Sequence, residues 1–225
     1  MKYLRYYLLS LVVIVVDQAV KLAVHEYMQM GPLGEIKIFG DWFKLHYTLN
    51  PGMAFGLEFG SEYGKIGLTL FRIIAVVAIG IYIYRMHCKG LHSGFLWCMA
   101  LVLGGALGNV IDSTFYGVLL NNAAYVIDPP PFYPWFHGQV IDMFYLDIWE
   151  GEVPDYVPII GGNYYSLWPI FNVADASIFT GVMIILIFQG KFFSKRTSEM
   201  QPPPYTAVEP EILPDTESPQ EVQNF

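Results

Sequence analysis

Charge is scarce in this sequence. Asp, Glu, Lys and Arg make up 14% of the 225 residues and hydrophobic types 54%, with a mean hydropathy of +0.41. Soluble domains typically carry about 25% charge, so the balance points away from that class. Cysteine is scarcer still. Cys88 closes one apolar run and Cys98 lies inside the next, which excludes a disulfide framework and a metal-ligand spacing and leaves two structural thiols. His25, His46, His87, His92 and His137 show no ligand spacing either, and the His-Glu-x-x-His helix of zinc peptidases is missing. No metal and no cofactor are expected. A Gly-x-Ser-x-Gly elbow is also absent, so serine nucleophile chemistry of that kind lacks its residues. The net charge of -8 argues against nucleic acid as a partner. No internal repeat is evident.

What the chain does have is long apolar runs. Residues 6–24, 66–84, 95–117 and 171–190 each approach the ~20 residues that cross a bilayer. All four are expected to be helices, because lipid offers an open backbone no partner. The expected fold is an α-helical integral membrane protein, with four transmembrane helices and a small extracytoplasmic β-sheet element. Asp17 interrupts the first run and Ala23-Val24-His25 lacks a small-x-small cleavage pattern, so this run reads as a retained span rather than a signal peptide. Lys2, Arg5, Arg85, Lys89, Lys191, Lys195 and Arg196 flank the spans on one side, which the positive-inside rule makes cytoplasmic. Both termini are then cytoplasmic, and the connections 25–65 and 118–168 face outward. Residues 35–50 alternate apolar and polar about Gly40-Asp41, a hairpin signal. Residues 120–168 are rich in Pro, aromatics and acids, as in an ordered interfacial loop. Residues 1–193 form the membrane domain. The polar, acidic, Pro-rich stretch 194–225 reads as a disordered cytoplasmic tail.

Against this background four carboxylates stand out: Asp17, Asp112, Asp142 and Asp175. An ionisable group in hydrocarbon is costly and usually marks a site. At 1.5 Å per residue, Asp17, Asp112 and Asp175 lie roughly 7 to 11 Å inside the outer boundary. Asp142 reaches the same layer from a re-entrant or interfacial segment. Asn109 with Asp112, and Asn172 with Asp175, are i, i+3 pairs, so each amide shares its carboxylate's face. Asp17 and Lys21, at i, i+4, read first as a structural ion pair, and Arg72 as a counter-ion for the chamber or a snorkelling side chain. Two carboxylates in a low-dielectric site do not both ionise easily, so one keeps a proton while the other stays basic. Such a pair activates water and protonates a leaving amine. The alternative is a proton-coupled membrane transporter using the same carboxylates. Its site, however, usually lies near the midplane of repeated bundles rather than towards one face.

Five motifs follow in order: Asp17-Gln18-x-x-Lys21, Asn50-Pro-Gly-Met-Ala-Phe-Gly56, Gly104-Gly-Ala-Leu-Gly-Asn109-x-x-Asp112, Val140-Ile-Asp142 and Phe171-Asn-Val-Ala-Asp175. Together they resemble the lipoprotein signal peptidase (signal peptidase II) family, over about residues 1–193. The resemblance implies an aspartic endopeptidase of the bacterial inner membrane that removes signal peptides from diacylglyceryl-modified prolipoproteins, cleaving before the lipidated Cys. Its partners would be that diacylated substrate and membrane phospholipid. It maps the catalytic pair onto Asp142 and Asp175. Asn50, Gly52 and Phe55 would belong to a substrate-holding outward loop, and Asn109 and Asn172 would orient the pair or the scissile region. Asp17, Lys21 and Asp112 would support the site. Many members carry Arg directly after the third-span Asp where this chain has Ser113, and Arg72 is the candidate substitute.

Overall fold

The computed structural model describes residues 2–52, 62–124, 134–152, 154–156, 162, 164–166 and 168–193. The expected tail and Phe55 lie outside the described residues. Four long helices form where the apolar runs predict them: α1 (Leu4–Tyr27), α2 (Glu62–Cys88), α3 (Ser93–Ile111) and α5 (Val173–Phe193). All four are long and apolar enough to cross a membrane. After Ile111 the α3 backbone loosens into a π turn, Asp112–Tyr116, then closes with one α-helical turn, α4 (Gly117–Leu119).

Helix α3 is the axis of the bundle, packed on α1, α2 and α5. Its glycines let the neighbours close in. A Cβ on Gly104 would stand 2.8 Å from Val13 Cβ, one on Gly108 would stand 2.5 Å from Asp17 Oδ2, and one on Gly105 would strike the Ala174 carbonyl. Close backbone approach is what small residues supply where lipid removes the hydrophobic drive for helix association. The contacts also fix direction. Ser10 donates to the Ala100 carbonyl at 2.8 Å and Gln18 to Asp112 at 2.8 Å, so α1 and α3 run parallel. Tyr7 donates to the Gly80 carbonyl, and Phe95 meets Phe192, so α2 and α5 run the other way. One end of the bundle thus collects the C-terminal ends of α1 and α3 with the N-terminal ends of α2 and α5.

The two ends bury different chemistry. Away from the polar residues, Tyr6, Val76, Ile83, Phe95, Leu96, Ala100, Leu103 and Val110 form a continuous apolar core. Leu8, Leu11, Val12 and Val15 on α1, and Phe71, Ile74 and Val77 on α2, are exposed, as lipid-facing residues should be. At the other end the buried residues include Asp17, Lys21, Lys65, Asp112 and Asp142.

A three-stranded antiparallel sheet of order β1-β2-β3 caps that end: β1 (Ile36–Phe39), β2 (Phe43–Asn50) and β3 (Val140–Leu146). The hairpin turns at Gly40 and Asp41, as the alternation predicts, with Gly40 at φ +53°. His25 at the end of α1 bonds Tyr47 Oη at 2.8 Å and anchors β2 to the bundle. Beneath the sheet Val24, Tyr47, Tyr116, Ile141 and Met143 make a second core. A further pair, β4 (Glu150–Glu152) and β5 (Tyr164–Ser166), is antiparallel too.

Candidate active site

Asp142 lies on β3, in the sheet that caps this end of the bundle. Thr48 of β2 pairs with Asp142, and Asn50 with Val140. Residues two apart on a strand share a face, so Asn50 is the diagonal neighbour of Asp142. Its Nδ2 donates to Asp142 Oδ2 at 3.0 Å, while its Oδ1 accepts from the Gly52 N–H at 2.8 Å. That second bond closes an Asx turn around Gly52, whose φ of +103° suits glycine.

The start of α5 is stitched to the same strand. Phe171 exchanges backbone hydrogen bonds with Phe144 at 2.8 and 3.0 Å, and its carbonyl also accepts from the Met143 N–H. Asn172 then caps α5: its Oδ1 accepts from the Asp175 N–H at 2.9 Å, and Asp175 Oδ2 accepts in return from the Asn172 N–H at 3.4 Å. This reciprocal arrangement is a capping box with Asn and Asp in the two places. Asp175 therefore sits in the first turn of α5 rather than some way inside a span beginning earlier. The Asn172 amide points to the other carboxylate, donating to Asp142 Oδ1 at 2.6 Å. One residue therefore binds Asp142 and Asp175 together. Asn109 completes their environment by donating to Asp175 Oδ1 at 2.8 Å. Burial first, and the Asp175 carboxylate after it, push the Asp142 carboxyl above the usual carboxylate range; the Asn50 and Asn172 amides pull the other way.

A second pair of carboxylates lies across Asn109. Lys21 Nζ is 2.8 Å from Asp17 Oδ2 and 2.7 Å from Asp112 Oδ2, and it donates to Asn109 Oδ1 at 2.9 Å, with all three charged side chains fully buried. The i, i+4 pair expected on α1 is thus part of a triad reaching α3. Gln18 extends it, donating to Asp112 Oδ1 and accepting from Tyr116 Oη at 2.9 Å. Asp17 Oδ1 accepts from the Ala174 N–H at 2.8 Å, which satisfies a free donor at the start of α5. The ion-pair partner of Asp112 is Lys21, not Arg72. Arg72 Nη1 instead donates to Ser113 Oγ at 3.1 Å, so its guanidinium comes to the position after Asp112 from α2.

The π turn fits this geometry. It leaves the Ser113 and Thr114 carbonyls for the Gly138 and Phe136 N–H groups, at 3.0 and 3.2 Å. Three further polar residues take no site role in the sequence reading, although Gln18 stands in its first motif. Gln18 and Tyr116 support the triad, and Lys65, 2% exposed, has no hydrogen-bond partner for its Nζ among the described residues. Lys65 falls just before the apolar run 66–84, where a solvated boundary lysine is the ordinary reading. Beside Asn172 an apolar groove of about 370 Å³ runs between sheet and bundle, lined by Phe43, Leu101, Phe144, Phe171, Val173 and Ala176 among others.

The sequence model of the Signal peptidase (SPase) II family matches residues 9–191. The lipoprotein signal peptidase of Amoebophilus asiaticus (strain 5a2) is 48% identical over 199 residues, covering 88% of this chain and 80% of the relative. That of Porphyromonas gingivalis is 39% identical over 189 residues, covering 80% of each. Among solved structures, a bacterial membrane enzyme determined by the in meso method shares the fold, with a TM-score of 0.56 at 22% identity over 87% of this chain and 93% of the other. With the match spanning α1 to α5 and relatives at this identity covering most of their own length, the chain belongs to the signal peptidase II family.

Proposed function

We propose that this protein is an intramembrane aspartic endopeptidase that removes signal peptides from diacylglyceryl-modified bacterial prolipoproteins, cleaving before the lipidated Cys, with Asp142 and Asp175 as its catalytic pair. The observation that carries the reading is that the buried Asp142 carboxyl and the partly buried Asp175 carboxyl share Asn172 and have no ion-pair partner among the described residues. A pair without a neutralising cation lowers its energy by holding one proton between two carboxyls. The ionised member takes a proton from water as its oxygen attacks the scissile carbonyl carbon. The protonated member donates to the carbonyl oxygen, and the proton taken from water then passes to the leaving amine. Asn50 on Asp142 and Asn109 on Asp175 orient the carboxyls for these transfers.

Family membership favours this over the transporter reading. The orientation expected from Lys and Arg puts both termini in the cytoplasm and the site towards the extracytoplasmic face of the inner membrane. The groove lined by Phe43, Phe144, Phe171 and Val173 offers an apolar surface between sheet and bundle, which suits a substrate whose lipid stays in the bilayer. The test is to incubate purified protein with a diacylated prolipoprotein and with its unlipidated form, and to identify the products by mass. Cleavage before Cys in the lipidated substrate alone is expected. Equal cleavage of both would make the protein a general intramembrane peptidase, and cleavage of neither would remove the peptidase assignment.

A further inference from the structure

The chamber holds two cations that the carboxylate chemistry does not use. Lys65 and Arg72, two turns apart on α2, bring Nζ and Nη1 to 3.5 and 3.6 Å from the point where a Cβ on Gly52 would stand. Lys65 is 2% exposed, and its ammonium has no hydrogen-bond partner among the described residues. The recorded partner of Arg72 is a neutral hydroxyl, Ser113 Oγ. Both cations lie outside the ion pairs of the triad, where Lys21 already serves Asp17 and Asp112. A buried ammonium near a guanidinium is unfavourable unless it gives up its proton or an anion binds both, and an anion that binds both restores the charge. The gap is also in the right place. Gly52 is tied through Asn50 to Asp142.

Resting on the peptidase reading, we propose that Lys65 and Arg72 form a carboxylate site for the product: they hold the new C-terminal carboxylate of the cleaved signal peptide. Hydrolysis adds the oxygen of water to the acyl carbon while the amine leaves with a proton, so the uncharged amide of the substrate becomes an anion beside the catalytic pair. Two carboxyls alone repel that anion. The α2 cations draw it away from them and bind it by charge-assisted hydrogen bonds, which are the strong kind. Gly52 leaves the approach open, since a side chain there would meet both cation heads and also Leu68, at 2.8 Å.

The test compares two inhibitors of purified enzyme that cleaves lipidated substrate: a signal peptide ending at the residue before Cys with a free carboxylate, and the same peptide as a carboxamide. The assay uses an uncharged detergent. The carboxylate peptide is expected to inhibit about tenfold more strongly or better, as charge-assisted bonds of about 1.5–3 kcal/mol imply. Lys65→Met should abolish that gap. Equal potency, or stronger inhibition by the carboxamide, overturns the proposal in wild-type enzyme whether or not the variant folds. A gap that survives Lys65→Met in folded, soluble variant overturns it too. A parallel series adds phosphatidylglycerol; loss of the gap there would assign the cations to a lipid phosphate instead and defeat the product site. Substrate cleavage by the same preparation tests the peptidase reading separately, so the two fail distinguishably.

Discussion

Asp17 and Asp112 on one side of Asn109 are a fully buried acid pair, and Asp142 and Asp175 on the other are a buried acid beside a partly buried one, with different solutions to the same cost. The first pair shares one cation: Lys21 stands between its members at 2.8 and 2.7 Å. The second is held by amides from Asn50, Asn109 and Asn172, which satisfy oxygens without cancelling charge. A cation-bridged pair fixes helices, because both members are committed to the same ammonium. An amide-held pair has no bound cation to prevent it from holding a proton, which the proposed chemistry requires. The difference teaches that burial of an acid does not by itself mark chemistry; the partner decides what the acid can do.

The sharpest way to break the comparison is to remove ionisation from each pair in turn. Asp142→Asn or Asp175→Asn should lower turnover roughly 10³-fold, within the range set by losing a positioned acid or base, while the protein still inserts, folds and expresses. The double variant should be scarcely slower than either single one, because the two act as a unit. Turnover of both single variants near wild type in a detergent assay would take the catalytic role away from this pair.

The scaffold pair should fail in the other currency. Lys21→Met leaves Asp17 and Asp112 buried without their cation, and breaking such a pair typically costs about 3–5 kcal/mol. A large fall in thermal stability is expected, measured on detergent-solubilised protein, with activity lost along with the fold. A Lys21→Met protein as stable as wild type and simply inactive would move Lys21 into the chemistry.

Much of this contrast was legible before any coordinates. The spans follow from apolar run length, and the β1-β2 hairpin from alternation about Gly40-Asp41. Strand β3 was not legible as a strand. Val140-Ile-Asp-Met-Phe-Tyr-Leu146 is mostly buried on both faces, so it shows no period of two, and its partner β2 is far away in sequence. Asn172-x-x-Asp175 reads as two residues on one helix face, yet the spacing serves a cap, because Phe171 is pinned to β3 and α5 starts after it. The π turn was invisible for a similar reason: the carbonyls it frees are satisfied by N–H groups of residues 136 and 138, a tertiary fact. Lys65 was missed because a lysine beside an apolar run is ordinarily solvated, and only the fold buries it.

A pH series sharpens the comparison further. The folded state raises the Asp142 pKa above its ordinary value, through burial and then Asp175. Its contribution to stability is therefore fully present below the ordinary carboxylate range and is lost as pH rises through the raised value. Asp142→Asn lacks that loss, so its melting temperature relative to wild type should climb as pH increases across that window. Turnover should be bell-shaped: both members are protonated at the acid end, leaving no base, and both ionised at the alkaline end, leaving no acid. A melting difference that is flat with pH would show that Asp142 gains no proton affinity on folding.

The smallest effect tests how the chamber balances its charges from α2. Arg72→Ala removes the donor from Ser113 Oγ, and a hydrogen bond from a charged group is worth about 1.5–3 kcal/mol, so activity should drop about tenfold or somewhat more. Ser113→Ala removes only the neutral acceptor and should cost less than Arg72→Ala, since the guanidinium itself remains on α2. The informative variant is the exchange. Ser113→Arg in the Arg72→Ala background puts the cation on α3 and aims it into the space the old guanidinium leaves. If what matters is a positive charge at this place rather than the helix that delivers it, the double variant should recover part of the lost turnover at equal expression. Recovery confined to folding, with turnover no better than Arg72→Ala, would mean that the reach of Arg72 from α2, in line with Lys65, is what the site requires.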